Sequence, residues 1–222
     1  MKRPTIAQMR LFRNQLALRM LIPTETPKLL PYKRPKKTKC GQPPEPKLTI
    51  EMIPQSCWYE NLRKELGREG WDRVRKAEYR RAGHKCEICG SVGVDQGFKW
   101  PVECHEKWEK DEETLTYRLV GLVVLCPLCH KAKHIGRTLH MDSVKVHHQV
   151  IEHILKVNKW KEFDLEDYLY SVADDWRRTG GMPWAVDMSW IDSYQAADEP
   201  EVKRSRRVHR GRFASRKRRR RV

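Results

Sequence analysis

The chain has 222 residues, of which 39% are hydrophobic and 34% are charged. This length allows one ordinary domain with extensions, and the composition allows only a modest hydrophobic core. Its longest apolar run, LVGLVVLC at residues 119–126, is much shorter than the roughly 20 residues that cross a bilayer, so we expect no membrane partner.

The positive charge is concentrated at the two ends of the chain. Residues 1–40 contain 11 Lys and Arg against Glu25 alone, and residues 203–222 contain 12 with no acidic residue. The net charge is +17 for the whole chain, which leaves −5 for residues 41–202. Like charges at this density repel one another unless a polyanion neutralises them. We therefore predict that both ends are disordered basic arms that bind nucleic acid, with DNA as the expected polymer, rather than tails that only aid solubility.

We expect no secretory signal in the N-terminal region, because arginines at positions 10, 13 and 19 interrupt each candidate apolar segment. A start that carries Arg and few acids also fits an organelle transit peptide. Eight prolines between residues 23 and 56 predict a linker, since proline lacks an amide donor and fixes its own φ angle. Residues 1–52 are therefore interpreted as a basic, proline-rich arm, and packing is expected to begin near Ile53.

The pattern of apolar residues and turn signals predicts a mixed α+β fold in which a strand hairpin is flanked by helices. The predicted elements are a helix over 71–81 with Gly83 as a left-handed cap, strands over 100–108 and 115–125, a short helix that begins near 126 and ends at Gly136, and helices over 144–159 and 165–178, the last with Asp164 as its N-cap. We assign residues 53–136 to a zinc module, 137–195 to a helical extension and 196–222 to a basic nucleic-acid-binding tail.

Four of the seven cysteines form two CxxC pairs, Cys86 with Cys89 and Cys126 with Cys129. A CxxC turn points both sulfurs at one ion, and Zn²⁺ prefers four tetrahedral sulfur ligands. An odd number of cysteines with paired spacing and no export signal favours a reducing compartment and a structural zinc over disulfides. A redox pair or buried thiols are the alternatives. The cysteines without a partner at ligand spacing are Cys40, Cys57 and Cys104.

Three histidines lie within the segment bounded by the cysteine pairs and the short helix. His105 is on the first predicted strand, and His130 and His134 are four residues apart on the short helix. One helical turn places the last two on the same face, so a second metal site is predicted, although three ordinary packed histidines are the alternative. No metal role is assigned to His140, His147, His148 or His153.

The order of these motifs resembles that of the HNH endonucleases of the ββα-metal class over about residues 84–136. Segment 57–71 and the sequences VNKWKEF and DMSWIDSY are similar to a bacterial and phage subgroup of that family. The resemblance implies a small, treble-clef-like ββα-metal fold, metal-dependent hydrolysis of DNA and a cytoplasmic location in a bacterial or phage-infected cell. In the family, a strand residue and the helix histidines bind a divalent metal such as Mg²⁺, Mn²⁺, Ni²⁺ or Zn²⁺. A neighbouring strand histidine activates water for attack on a phosphodiester, and the metal stabilises the leaving oxygen.

His130 and His134 match the two helix histidines of the family, but two alignments of the strand sequence ECHE are open. One alignment makes His105 a metal ligand and Glu106 the catalytic base. The other makes His105 the base and places Cys104 at the ligand position. Gly121 stands where the family has the asparagine of the motif.

Three functions are consistent with this sequence. The histidine pair favours a metal-dependent endonuclease. The glycine at the asparagine position favours a non-catalytic zinc module that binds nucleic acid. The acidic central region is also compatible with an accessory subunit of a nucleic-acid-processing complex.

Overall fold

The structure is a computed structural model that describes residues 45–194. The predicted N-terminal arm up to residue 44, the unpaired Cys40 and the predicted basic tail over 196–222 lie outside the described residues. The remaining predictions, including both metal sites, fall inside this range.

The described residues have a mixed α+β fold with one small sheet, as the sequence predicts. The helices are α1 (Leu62–Arg81), α2 (Pro127–Lys133), α3 (Ile135–Met141), α4 (Val144–Asn158), α5 (Glu162–Thr179) and α6 (Trp190–Ser193). The strands are β1 (Glu103–Asp111), β2 (Thr116–Leu125) and β3 (Ala185–Asp187). Two short 3₁₀ turns lie at Gln55–Cys57 and Val94–Gln96. None of the helices within 45–194 combines the length and the apolar character required to cross a bilayer.

The sheet has the order β1-β2-β3. The antiparallel pairing of β1 with β2 runs from Glu103 opposite Leu125 to Asp111 opposite Thr116, which confirms the predicted hairpin, although β1 begins and ends three residues later than predicted. A register shift next to Lys107 interrupts the ladder near its middle. The strand β3 is parallel to β2 and was not predicted, because three residues are too short to show a periodic pattern.

The helix α1 begins nine residues before the predicted start. Asn61 caps it by accepting a hydrogen bond from the Lys64 N–H at 2.9 Å. The chain is kinked at Gly67, whose φ of 66° lies in the left-handed region, so the apolar periodicity of the helix is interrupted there. At the other end, Gly83 has a φ of 59°, which confirms the predicted left-handed residue.

Two other helix ends differ from the prediction. The short helix does not end at Gly136: α2 ends at Lys133, His134 has non-helical angles, and α3 continues to Met141 with Gly136 buried inside it. The helix α5 begins at Glu162, and Asp164 is not its N-cap. Asp164 is the third residue of the helix, and its side chain accepts a hydrogen bond from the backbone N–H of Lys161 at 2.8 Å.

The main core begins earlier in the chain than Ile53, so the expected start of packing is wrong. Leu48 is fully buried, and the side chain of Asn158 both accepts from its N–H at 2.8 Å and donates to its carbonyl at 3.0 Å. Prolines break helices and strands, but they do not prevent an extended segment from packing through its other residues. The same core contains Val150 and Ile154 of α4 beside Cys126. The predicted zinc module and the predicted helical extension therefore share one core.

Candidate metal centres

The two cysteine pairs meet at one point of the fold, which we call the cysteine cluster. Cys86 and Cys89 lie in the turn after α1, and Cys126 and Cys129 lie at the start of α2. Their sulfur atoms all lie within 4.8 Å of one another, and Cys89 Sγ is 3.6 Å from Cys126 Sγ. Four sulfurs at about 2.3 Å from a tetrahedral zinc ion are separated by about 3.8 Å. The cysteine cluster can therefore hold a metal ion, and its four sulfur donors suit zinc.

Both CxxC turns point backbone donors at sulfur. The Cys89 N–H lies 3.5 Å from Cys86 Sγ, and the Cys129 N–H lies 3.4 Å from Cys126 Sγ. The first turn closes through Gly90, whose N–H donates to the Cys86 carbonyl at 2.8 Å. Hydrogen bonds from the thiols of Cys126 and Cys129 lower the pKa of Cys86, and hydrogen bonds within the same cluster raise the pKa of Cys129. The four thiols therefore share protons, and a bound metal would be needed to hold all four as thiolates.

Two residues beside the cysteine cluster were not identified from the sequence. His153 Nε2, on α4, lies 3.1 Å from Cys129 Sγ, and Gln96 Nε2 lies 3.2 Å from Cys126 Sγ. Donors to sulfur spread the negative charge that four thiolates place in a buried site. His153 lies with Val150 on the apolar face of α4, and a histidine on that face was the sequence feature from which a buried partner for the cysteines could have been predicted.

The cysteine cluster should be necessary for folding. We expect Cys86→Ser and Cys129→Ser to lose bound zinc and the cooperative thermal transition. The reason is that structural zinc contributes about 10–16 kcal/mol in small zinc peptides, as much as the whole stability of about 5–15 kcal/mol of a typical domain. Zinc content and a circular dichroism melt measure both effects. The matched control is Cys57→Ala, because Cys57 is buried but lies outside the cluster. Native-like melting of either serine variant would contradict a structural zinc.

Three histidines form a second group, which we call the histidine cluster. His105 comes from β1, His130 from α2 and His134 from the junction of α2 and α3. Their ring centroids are separated by 4.8 Å, 5.1 Å and 5.2 Å, and one ligand atom of each lies within 4.8 Å of the others. The histidine cluster can therefore hold a metal ion. Three imidazoles leave a fourth tetrahedral position without a protein ligand, which is typical of catalytic zinc sites.

Two carboxylates orient this cluster. His105 Nε2 donates to Glu51 Oε2 at 2.7 Å, and His130 Nδ1 donates to Glu103 Oε2 at 2.5 Å. Glu51 also accepts from Lys133 Nζ at 2.6 Å. Each donation leaves the other ring nitrogen with the lone pair that a metal needs, and such carboxylate–histidine pairs commonly fix metal-binding imidazoles. Glu51 was missed because it lies far from the motif in sequence.

The electrostatics of the cluster favour the neutral imidazole at His105 and His134 and the ionised carboxylate at Glu51 and Glu103. Burial lowers the pKa of His105. Burial also lowers the pKa of His134, and the neighbouring charges of His105 and His130 add to this effect, so that this pKa falls to about 3. Burial alone would raise the pKa of Glu51, but the hydrogen bonds and charges of His105 and Lys133 outweigh it and lower the pKa to about 2. Neutral imidazole is the form that binds a metal.

The other predicted strand residues lie outside the histidine cluster. Glu106 accepts the N–H of Leu62, at the start of α1, at 2.7 Å, and burial raises the pKa of its carboxyl group. Burial also raises the pKa of Cys104 to about 12, which disfavours the thiolate. Gly121 lies opposite Lys107, and a Cβ atom added there would meet only the Lys107 side chain at 3.8 Å. A Cβ atom would therefore fit at this position.

Comparison with protein-family models, with curated proteins and with solved structures found no match. Function must therefore be argued from the geometry of the two clusters.

Proposed function

We propose that this protein is a metal-dependent endonuclease of the HNH type, which hydrolyses phosphodiester bonds of DNA. The observation that carries the proposal is the grouping of His105, His130 and His134 beside a four-cysteine cluster. A strand hairpin followed by a short helix that bears His130 and ends next to His134 is similar to the arrangement expected of a ββα-metal module. Here the cysteine cluster would hold a structural zinc, and the histidine cluster a catalytic divalent metal.

The histidine cluster supports His105 as a ligand rather than as the catalytic base. Its ring groups with those of His130 and His134, whereas Cys104 belongs to neither cluster. A divalent metal bound there would activate water and stabilise the leaving oxygen of a phosphodiester. Glu51 and Glu103 would hold two of the imidazole rings in the orientation that binding requires.

With His105 as a ligand, the alignment gives the base role to Glu106, although successive residues of a strand point to opposite faces and the Glu106 carboxylate contacts α1. Its carboxyl group is partly buried, and burial raises its pKa towards the range in which a carboxylate is an effective general base. The N–H of Leu62 would fix the carboxylate while it accepts a proton. The basic ends of the chain would supply a general attraction to DNA, which residues 41–202 do not supply because their net charge is −5.

The second candidate function is a zinc module that binds nucleic acid without cleaving it. Two observations favour it: Gly121 provides no side chain at the asparagine position, and Glu106 already has a hydrogen-bond partner. In that case the three histidines would be a packed polar group and the protein would act through its cysteine cluster and basic ends.

A cleavage assay separates the two functions. Purified protein is incubated with plasmid DNA and Mg²⁺, Mn²⁺, Ni²⁺ or Zn²⁺, with and without a chelator. We expect cleavage that is lost in His134→Ala, because the metal loses a ligand, while one zinc per chain and DNA binding remain. His140→Ala is the matched control, since His140 is exposed on α3 and belongs to neither cluster. A wild-type protein that binds zinc and DNA but cleaves with none of these metals would support the binding module.

The role of Glu106 is tested by Glu106→Gln. Glutamine retains an oxygen that can accept the Leu62 N–H, so the fold should be preserved, but it cannot accept a proton as a base. We expect the cleavage rate to fall by about 10²–10⁴-fold, the typical contribution of a general base. Glu109→Gln is the control, because Glu109 is exposed on the same strand. An unchanged rate in Glu106→Gln would rule out the base role.

A further inference from the structure

Three cationic side chains lie on the helices that carry the histidine pair. Lys131 Nζ contacts both carboxylate oxygens of Asp142, at 2.8 Å and 3.0 Å. Lys133 is buried, and its Nζ donates to Glu51 at 2.6 Å and to Thr49 at 2.7 Å. Arg137 differs from both, because it is exposed and forms no ion pair with any residue in 45–194. Of these three, it alone can offer an un-neutralised charge to a ligand.

Arg137 is also well placed relative to the histidine cluster. It follows His134 by three residues, and His134 is the N-cap of α3, so the spacing directs both side chains to one side of that helix. The Arg137 guanidinium is also close enough to both His134 and Glu103 for its charge to act on them.

A cation beside the cluster would add to the attraction for a phosphate group. Glu51 is already paired with Lys133, and a divalent metal in the histidine cluster would add positive charge, whereas the ionised Glu103 and the net charge of −5 on residues 41–202 oppose the approach of a phosphate group. Arginine suits this role, because its planar guanidinium forms two parallel hydrogen bonds to phosphate oxygens.

We propose that Arg137 binds a phosphate group of the nucleic-acid backbone next to the histidine cluster and so positions the scissile phosphodiester. The positioning of a scissile phosphodiester rests on the proposed endonuclease function, whereas phosphate binding by Arg137 does not require cleavage. Arg137 acts as a positioning residue for the substrate. It differs from the basic ends of the chain, which attract any polyanion without fixing where it lies.

The test is the salt dependence of binding to a short DNA duplex, measured by fluorescence anisotropy. The full chain is used with zinc in the cysteine cluster and with no other divalent metal, so that cleavage does not interfere. Loss of one phosphate contact should reduce the slope of log K against log[salt] by about 0.9 in Arg137→Gln. Arg137→Lys should keep the slope, because it keeps the charge. Arg118→Gln is the matched control: Arg118 is an exposed arginine that is already paired with Asp187, and its slope should be unchanged.

An unchanged slope in Arg137→Gln, or an equal reduction in Arg118→Gln, would overturn the inference. Cleavage kinetics then separate its failure from failure of the proposed function. If Arg137 positions the phosphodiester, Arg137→Gln should lose about ten- to a hundredfold in kcat/KM, the usual effect of one hydrogen bond to a charged group, and Arg137→Lys should recover part of it. Wild-type cleavage with an unaffected Arg137→Gln would overturn the inference and leave the endonuclease intact. No wild-type cleavage, together with the reduced slope, would overturn the positioning of a scissile bond and retain phosphate binding.

Discussion

The convergence of four thiols is the constraint on which the rest of this fold depends. It joins the turn after α1 to the first residues of α2, two segments separated by the whole hairpin. Because His130 directly follows Cys129, fixing the start of α2 also fixes the orientation of the histidines on that helix relative to β1. A metal bound by sulfur would therefore serve the histidine cluster indirectly. It would hold the scaffold rigid at the point where the imidazoles must meet.

Segments outside the motif complete both clusters. The extended segment at residues 48–52 packs into the main core and brings Glu51 to His105 and Lys133. On the other side, α4 covers the cysteine cluster and brings His153 to its sulfurs. The turn after α1, the hairpin and the short helix thus provide the ligands, whereas the flanking segments provide Glu51 and His153, which form hydrogen bonds to them. This division explains why a core that spans residues 48–169 is needed to support two compact clusters.

Local spacing was sufficient to predict the parts of the structure that depend on neighbours in sequence. The hairpin, the helix α4 to within one residue, and the membership of both clusters follow from strand and helix patterns and from the two CxxC turns. The partners Glu51 and His153 could not be predicted, because packing of distant segments sets those contacts. The start of α1 was missed because Gly67 interrupts its periodicity. The packing of Leu48 was missed because the surrounding prolines indicate a linker, although an extended chain can still bury its apolar side chains.

The most direct test of two metal centres with different ligands is zinc K-edge X-ray absorption of the full chain in solution, with one and then two equivalents of zinc. The first equivalent should show four sulfur neighbours at about 2.3 Å. The second should add nitrogen neighbours at about 2.0–2.1 Å, and these should disappear in His134→Ala while the sulfur neighbours remain. A first equivalent bound by nitrogen or oxygen, or a second that adds no nitrogen neighbours, would contradict the arrangement of a structural sulfur site beside a separate histidine site.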